Sequence, residues 1–144
     1  MEYFVYSRRA IERIEAHEVP HVILSITSSV EDRARLPIAE TTLGVLRLTF
    51  PDLLPRHRLA RGRALFSEEQ ADRIWAFVTE HRAACQRIVL HCDAGVSRSP
   101  AVAAALAKVL GDDDRDLFER YDPNPHVYRL LLSRAPRASE LCSG

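Results

Sequence analysis

Residues 87–100 read Arg-Ile-Val-Leu-His-Cys-Asp-Ala-Gly-Val-Ser-Arg-Ser-Pro, and we expect the fold to be organised around this stretch. The run Ile88–His91 predicts a buried strand, and the alanine-rich run that Pro100 opens predicts a helix. A loop between a strand and a helix N-terminus directs backbone N–H groups and the positive end of the helix dipole towards its centre. The stretch therefore predicts an anion-binding loop.

Four residues of this loop suggest a chemistry. Cys92 is a candidate nucleophile, since a thiol close to a helix N-terminus and a guanidinium ionises more easily than a free thiol. The planar guanidinium of Arg98 can hold two oxygens of one phosphate. Gly95 gives the backbone freedom that a curved loop needs, and the Ser99 hydroxyl can hydrogen-bond a departing sulfur. The pattern favours attack of sulfur on a phosphoryl group, with a phosphocysteine intermediate, whereas a purely structural cysteine leaves the other three residues unexplained.

The run His91–Ser99 resembles the HCxxGxxR[ST] signature of the cysteine-dependent protein tyrosine phosphatases, and Ser97 makes it most similar to their dual-specificity branch. The resemblance implies that Cys92 is the nucleophile, that Arg98 clamps the phosphate and that Ser99 assists release of the thiolate. It implies that His91 is a buried orienting residue. It also implies that phosphate, or sulfate or vanadate in its place, binds the loop residues Asp93, Ala94, Gly95, Val96, Ser97 and Arg98.

The proposed chemistry requires an acid that protonates the leaving oxygen and then activates water. Phe50-Pro51-Asp52 follows a predicted strand and is similar to the Trp-Pro-Asp loop of the tyrosine phosphatases, so we predict that Asp52 is this acid. The alternative reading makes Asp52 a turn residue beside proline. Asp122 is the second candidate acid, because Asp122-Pro123 resembles an element of the low-molecular-weight phosphatases, whose cysteine loop instead follows the first strand. Asn124 resembles a Pro-Asn element of dual-specificity enzymes.

The substrate class is predicted less directly. No aromatic loop that recognises phosphotyrosine stands out, and neither Asp93 nor Val96 is the lysine found in phosphoinositide relatives. We predict a metal-independent phosphomonoesterase that acts on phosphotyrosine in proteins, with activity on phosphoserine and phosphothreonine left open. The arginines at positions 56, 58, 61 and 63 leave a polyanionic substrate such as an RNA 5′-phosphate or a phosphoinositide as an alternative. A catalytically inactive phosphate-binding scaffold is a further alternative.

Composition limits the other function classes. The 144 residues are 47% hydrophobic and carry zero formal net charge, which predicts one domain and gives no overall charge for binding nucleic acid or membrane. No signal peptide or membrane-spanning run is evident, and three cysteines without framework spacing predict a reducing, cytoplasmic setting. The six histidines show no metal-ligand spacing, so we expect neither a metal nor a cofactor. Cys85 could form a disulfide with Cys92, although a structural role for Cys85 is favoured.

The order of predicted elements indicates an α/β fold. Strands are expected at Tyr3–Tyr6, His21–Thr27, Gly44–Phe50 and Ile88–His91; helices are expected from Ser7 to about His17, from Ser67 to near Arg82, and at Pro100–Leu110, Arg115–Tyr121 and His126–Arg134. Such alternation predicts a single domain over residues 1–144 with a mainly parallel sheet of about four or five strands flanked by helices. This is the architecture that resemblance to dual-specificity phosphatases implies. Ser99 is the expected N-cap of its helix, and the tail from about residue 136 is expected to be frayed.

Overall fold

The computed structural model describes residues 1–142, and within them the strands form one four-stranded sheet in the order β1-β4-β2-β3. The strands are β1 (Glu2–Ser7), β2 (His21–Thr27), β3 (Thr42–Thr49) and β4 (Arg87–Cys92). The helices are α1 (Arg8–Ile11), α2 (Glu68–His81), α3 (Arg98–Leu110), α4 (Arg115–Arg120), α5 (Pro125–Ser133) and α6 (Ala138–Cys142). Every neighbouring pair of strands is parallel, which confirms the predicted α/β fold with a parallel sheet between helices.

The parallel arrangement brings the carboxyl ends of the strands to one edge of the sheet. β4 lies between β1 and β2, with Ser7 in register with Cys92 and Ser25 in register with His91. β2 and most of β4 are buried because both lie in the interior of the sheet, which explains their near-continuous apolar sequences. Loops that follow the strands therefore meet around Cys92, where open parallel sheets bind ligands.

Helices cover both faces of the sheet. On one face α3 is buried from Arg98 to Ala107, since its small side chains allow close approach to the strands. α2 and α5 pack on the same face, and Trp75 of α2 is buried with its Nε1 donating to the Leu131 carbonyl at 2.9 Å, so its role is packing, as predicted. A smaller cluster on the opposite face joins Ile11 of α1 to the sheet.

Local signals in the sequence explain several helix ends. Ser67 and Gln70 form the expected capping box of α2, and Gly111 ends α3 with a left-handed φ of 85°. The prediction that Ser99 caps α3 is wrong, because the helix already begins at Arg98 and Ser97 occupies the cap position. Ser99 consequently lies within the first helical turn.

Two other segments differ from their predictions. α1 ends at Ile11 rather than near His17, because the chain turns back and places His17 against Phe4 and Tyr6, with a 2.9 Å hydrogen bond from His17 Nε2 to Tyr6 Oη. The segment 138–142 forms the short helix α6, where a frayed tail was expected; residues 143–144 lie outside the described residues. No helix in the described part of the chain has the length and apolar character needed to cross a membrane.

Candidate active site

Cys92 is the last residue of β4 and lies beneath the first turn of α3. It is 2% exposed, and its Sγ is 3.1 Å from the Ser99 Oγ and accepts a hydrogen bond from the Ser99 N–H at 3.5 Å. Because α3 begins at Arg98, Ser99 lies in the first helical turn. A backbone N–H in this turn has no partner inside the helix, so the N–H of Ser99 can donate to the sulfur. The sulfur is thus held by a hydroxyl and an amide of the same residue.

Gly95 shapes the loop between Cys92 and α3. Its φ is +73°, and a Cβ added there would lie 2.6 Å from the Ser7 nitrogen and 2.7 Å from the Tyr6 carbonyl carbon. Both the dihedral angle and the backbone contact exclude a side chain at this position. The Arg8 N–H donates to the Asp93 carbonyl at 3.0 Å, so the loop also hydrogen-bonds the chain that follows β1.

Arg98 is 5% exposed and its guanidinium is held from three directions. Nη1 donates to the Phe50 carbonyl at 2.9 Å and to the Ser28 Oγ at 3.0 Å, and Nη2 donates to Asp93 Oδ2 at 3.0 Å. The Nε–H is buried and has no hydrogen-bond partner within the described residues. A buried donor without a partner is unfavourable, so this N–H is suited to an incoming acceptor.

Asp93 has a side-chain role that sequence reasoning did not identify. The loop prediction concerned its position, whereas its carboxylate forms an ion pair with Arg98 and accepts a 3.3 Å hydrogen bond from Ser28. Ser28 follows β2 and was also missed; its place after a buried strand, at the carboxyl edge of the sheet, is the signal that could have identified it. Together these side chains orient the guanidinium.

His91 is fully buried beside the nucleophile. Its Nε2 and the Ser25 Oγ form a 2.6 Å hydrogen bond, and its Nδ1 is 3.3 Å from the Cys92 carbonyl oxygen. Burial lowers the pKa of His91 below its ordinary value, which favours a neutral ring. This placement fits an orienting residue, as the resemblance implies, and Ser25 is the partner that orients the ring.

Asp52 follows β3 and contacts the signature loop, which is the segment between Cys92 and α3 that is predicted to bind phosphate. Its Oδ1 accepts a hydrogen bond from the Ser97 Oγ and another from the Asn124 Nδ2, both at 2.8 Å. Asn124 is 4% exposed, and its Oδ1 accepts from the backbone N–H groups of His126 and Val127, which caps α5. One asparagine therefore couples the position of Asp52 to the start of a helix.

Asp122 lies near the same loop but is held differently. Its backbone N–H donates to the Val96 carbonyl at 2.9 Å, and it lines a pocket of about 270 Å³ together with Asp52 and Ser97. Both candidate acids thus border one pocket. Asp52 is the candidate acid whose carboxylate has a hydrogen bond to the loop that contains Cys92.

Cys85 lies too far from Cys92 to form a disulfide with it. Cys92 ends β4 and Cys85 lies two residues before the strand begins at Arg87. Extended chain rises about 3.3 Å per residue, so β4 alone spans roughly 17 Å, and the two residues before it are too few to return Cys85 to within the roughly 7 Å that a disulfide allows. Cys85 is buried and has the structural role that the sequence favoured. The described residues contain no group of three or more His, Cys, Asp or Glu side chains that could hold a metal ion.

Comparison with known proteins relates this geometry to solved structures. No family model matches the chain, and no curated protein matches its sequence. Human DUSP28 is similar in structure, with a TM-score of 0.58, 20% identity and coverage of 92% of this chain and 90% of that chain. A mouse putative dual specificity phosphatase has a TM-score of 0.55 at 19% identity, with coverage of 92% and 80%. The human tyrosine phosphatase-like serine/threonine/tyrosine-interacting protein has a TM-score of 0.52 at 20% identity, with coverage of 80% and 75%. The chain therefore has the fold seen in solved structures of dual-specificity phosphatases.

Proposed function

We propose that this chain is a metal-independent phosphomonoesterase that hydrolyses phosphotyrosine in proteins, and also phosphoserine and phosphothreonine, through a phosphocysteine intermediate. The observation that carries the proposal is the buried Arg98 guanidinium, which keeps an unpartnered Nε–H at the end of a loop that begins with Cys92. A guanidinium and an anion-binding loop neutralise phosphate charge without a metal ion. The fold supports the same class, and the mouse neighbour was solved with zinc tungstate.

In the first step, the Cys92 thiolate attacks phosphorus and the bond from phosphorus to the leaving oxygen breaks. Arg98 and the N–H groups of residues 93–98 bind the three non-bridging oxygens, whose charge they stabilise in the transition state. Asp52 donates its proton to the leaving oxygen, which departs as a neutral hydroxyl group. Ser97 and Asn124 hold the Asp52 carboxyl for this transfer.

In the second step, water attacks the phosphorus of phosphocysteine while Asp52 accepts one water proton. The phosphorus–sulfur bond breaks, and the electron pair stays on sulfur as a thiolate. The Ser99 hydroxyl, 3.1 Å from this sulfur, donates a hydrogen bond to the developing negative charge. Because the cycle depends on a reduced thiol, we propose the cytoplasm as its location.

The test is hydrolysis of p-nitrophenyl phosphate in excess EDTA. We expect turnover to persist in EDTA, to be inhibited by vanadate and to be abolished by Cys92→Ser. Cys85→Ala is the matched control, because Cys85 is a buried cysteine that precedes β4 whereas Cys92 ends it, and this variant should retain activity. Turnover that EDTA removes, or that survives Cys92→Ser, contradicts the proposal. Tight binding of a phosphopeptide without release of phosphate would instead indicate the scaffold function.

A further inference from the structure

A cleft beside the candidate active site is not used by the chemistry above. It has a volume of about 490 Å³, within the range of ligand-binding sites. One wall is the loop after Asp52, with Leu54 and Arg56, and the other is α5, with Arg129 and Leu130. The cleft therefore combines apolar walls with two cationic side chains.

The cleft is continuous with the candidate active site. The pocket that Asp52 and Ser97 line shares Leu54 and Pro125 with the cleft. A phosphorylated residue bound at Cys92 would consequently leave its neighbouring groups next to the cleft. This continuity makes the cleft a candidate subsite for the part of the substrate that flanks the phosphate.

The two arginines of the cleft are available to a ligand. Neither Arg56 nor Arg129 has an ion pair or side-chain hydrogen bond within residues 1–142, and both are exposed. By contrast, Arg134 at the end of the same helix pairs with Asp72 at 2.7 Å and with Glu68 at 3.6 Å. Two unpaired cations that face one cleft are complementary to a carboxylate rather than to a neutral group.

Carboxylates around the signature loop favour a peptide over a polyphosphate as the occupant of the cleft. Asp52 and Asp122 line the pocket that leads to the cleft, and the Asp93 side chain beside Arg98 is 41% exposed. A row of adjacent phosphates, as in a nucleic acid end or a polyphosphorylated lipid, would bring negative charge close to these three groups. A peptide carries its acidic side chains farther from the phosphorylated residue, so the carboxylate can reach the arginines without crossing that acidic region.

We propose that this cleft is a specificity subsite that binds an acidic side chain next to the phosphorylated residue of a protein substrate, with Arg56 and Arg129 as its cationic contacts. The inference rests on the proposed phosphatase function, and it specifies that the substrate has an acidic residue beside the phosphorylated one. Leu54 and Leu130 contact the aliphatic part of the bound segment. Arg56 and Arg129 are not part of the catalytic machinery, since within the described residues neither side chain has a hydrogen bond or ion pair with the loop that follows Cys92.

The experiment compares two phosphotyrosine peptides that differ only in having Glu or Gln beside the phosphotyrosine. We expect the Glu peptide to have the higher kcat/KM, and Arg56→Gln and Arg129→Gln each to lower that value about two- to fivefold, as exposed ion pairs do, with about tenfold for the double variant. Turnover of p-nitrophenyl phosphate should not change in these variants. Lys108→Gln is the matched control, because it removes an exposed cation from the far end of α3.

A binding measurement separates this inference from the proposed function. The difference between the affinities of the Glu and Gln peptides for Cys92→Ser depends on the cleft and not on turnover, so it tests the subsite even if the wild-type protein hydrolyses nothing. Equal affinity for the Glu and Gln peptides overturns the subsite proposal, as does an unchanged preference in the double arginine variant. The arginine variants are also assayed with an RNA 5′-phosphate and a phosphoinositide. If hydrolysis of either substrate falls more than peptide hydrolysis does, the cleft binds a polyanion and the subsite proposal is overturned.

Discussion

Asn124 joins three parts of the candidate site, so its replacements test how the acid is positioned. Its side chain donates to Asp52 and caps α5, and its backbone N–H donates to the Ser97 carbonyl at 3.0 Å. Asn124→Asp keeps the oxygen that caps the helix but replaces the amide donor with a second carboxylate. Asn124→Ser keeps a capping oxygen without adding charge, which makes it the control for Asn124→Asp.

The expected loss of rate in Asn124→Asp follows from the 2.8 Å contact between Asn124 Nδ2 and Asp52 Oδ1. Two negative charges about 4 Å apart repel by about 1 kcal/mol in bulk water and about 4 kcal/mol near a protein surface. Even the lower value reduces the population of Asp52 in its held position by about fivefold. Because general acid–base catalysis contributes about 10²- to 10⁴-fold to rates, we expect Asn124→Asp to slow hydrolysis of phenyl phosphate by about 10- to 100-fold.

The assay measures kcat for phenyl phosphate, a poor leaving group, and for p-nitrophenyl phosphate, which needs the acid less. The loss in Asn124→Asp should be larger for phenyl phosphate, and Asn124→Ser should lose less. Denaturant unfolding supplies the second readout: Asn124→Ala should lose about 1 kcal/mol of stability with the helix cap, whereas Asn124→Asp should retain that part. Phenyl phosphate turnover in Asn124→Asp equal to that of the wild-type protein would refute the role assigned to Asp52.

Three further predictions concern the loop and its surroundings. Gly95→Ala should abolish vanadate binding and lower the melting temperature, because its Cβ would overlap the backbone of Tyr6 and Ser7; normal vanadate binding would show that the loop shape is wrong. Ser99→Ala should slow the second step and produce a burst of phenol release, since Ser99 hydrogen-bonds the departing sulfur; a linear time course would contradict this. Burial lowers the pKa of His91, so the stability due to its neutral ring is present above about pH 6.5 and is lost as pH falls towards the lowered pKa. Urea midpoints should therefore fall from pH 7 to pH 5, with a smaller decrease in His91→Gln, and equal slopes in the two proteins would count against a buried neutral ring.

The sequence predicted the parts of the site that depend on local pattern. The run Ile88–His91, followed by Gly95 and the helix start, is sufficient to indicate an anion loop after a buried strand. Asp52 was located because a strand that ends at Pro51 must continue as a loop. The position of Asp52 in a loop follows from this order of elements, whereas its assignment as the acid also used the similarity to the Trp-Pro-Asp loop.

Other parts depend on the order of strands in the sheet, which local pattern does not specify. Arg98 is held by Ser28 and by the Phe50 carbonyl because β2 lies beside β4 and β3 lies beyond it. The side-chain role of Asp93 follows from the same arrangement, since Ser28 contacts both Asp93 and Arg98. The end of α1 was misplaced because contacts of His17 with Phe4 and Tyr6 outweigh helix propensity.

The contact between the phosphate loop and β1 makes an edge strand part of the binding equilibrium. Residues 93–95 contact the backbone of residues 6–8, so displacing β1 would remove contacts that hold the loop in place. An oxyanion that binds the loop in this conformation must then also stabilise β1 against local unfolding, because binding and folding are thermodynamically linked. Amide hydrogen exchange in the first seven residues should slow when vanadate is added, so a strand with no catalytic group would report on occupancy of the site.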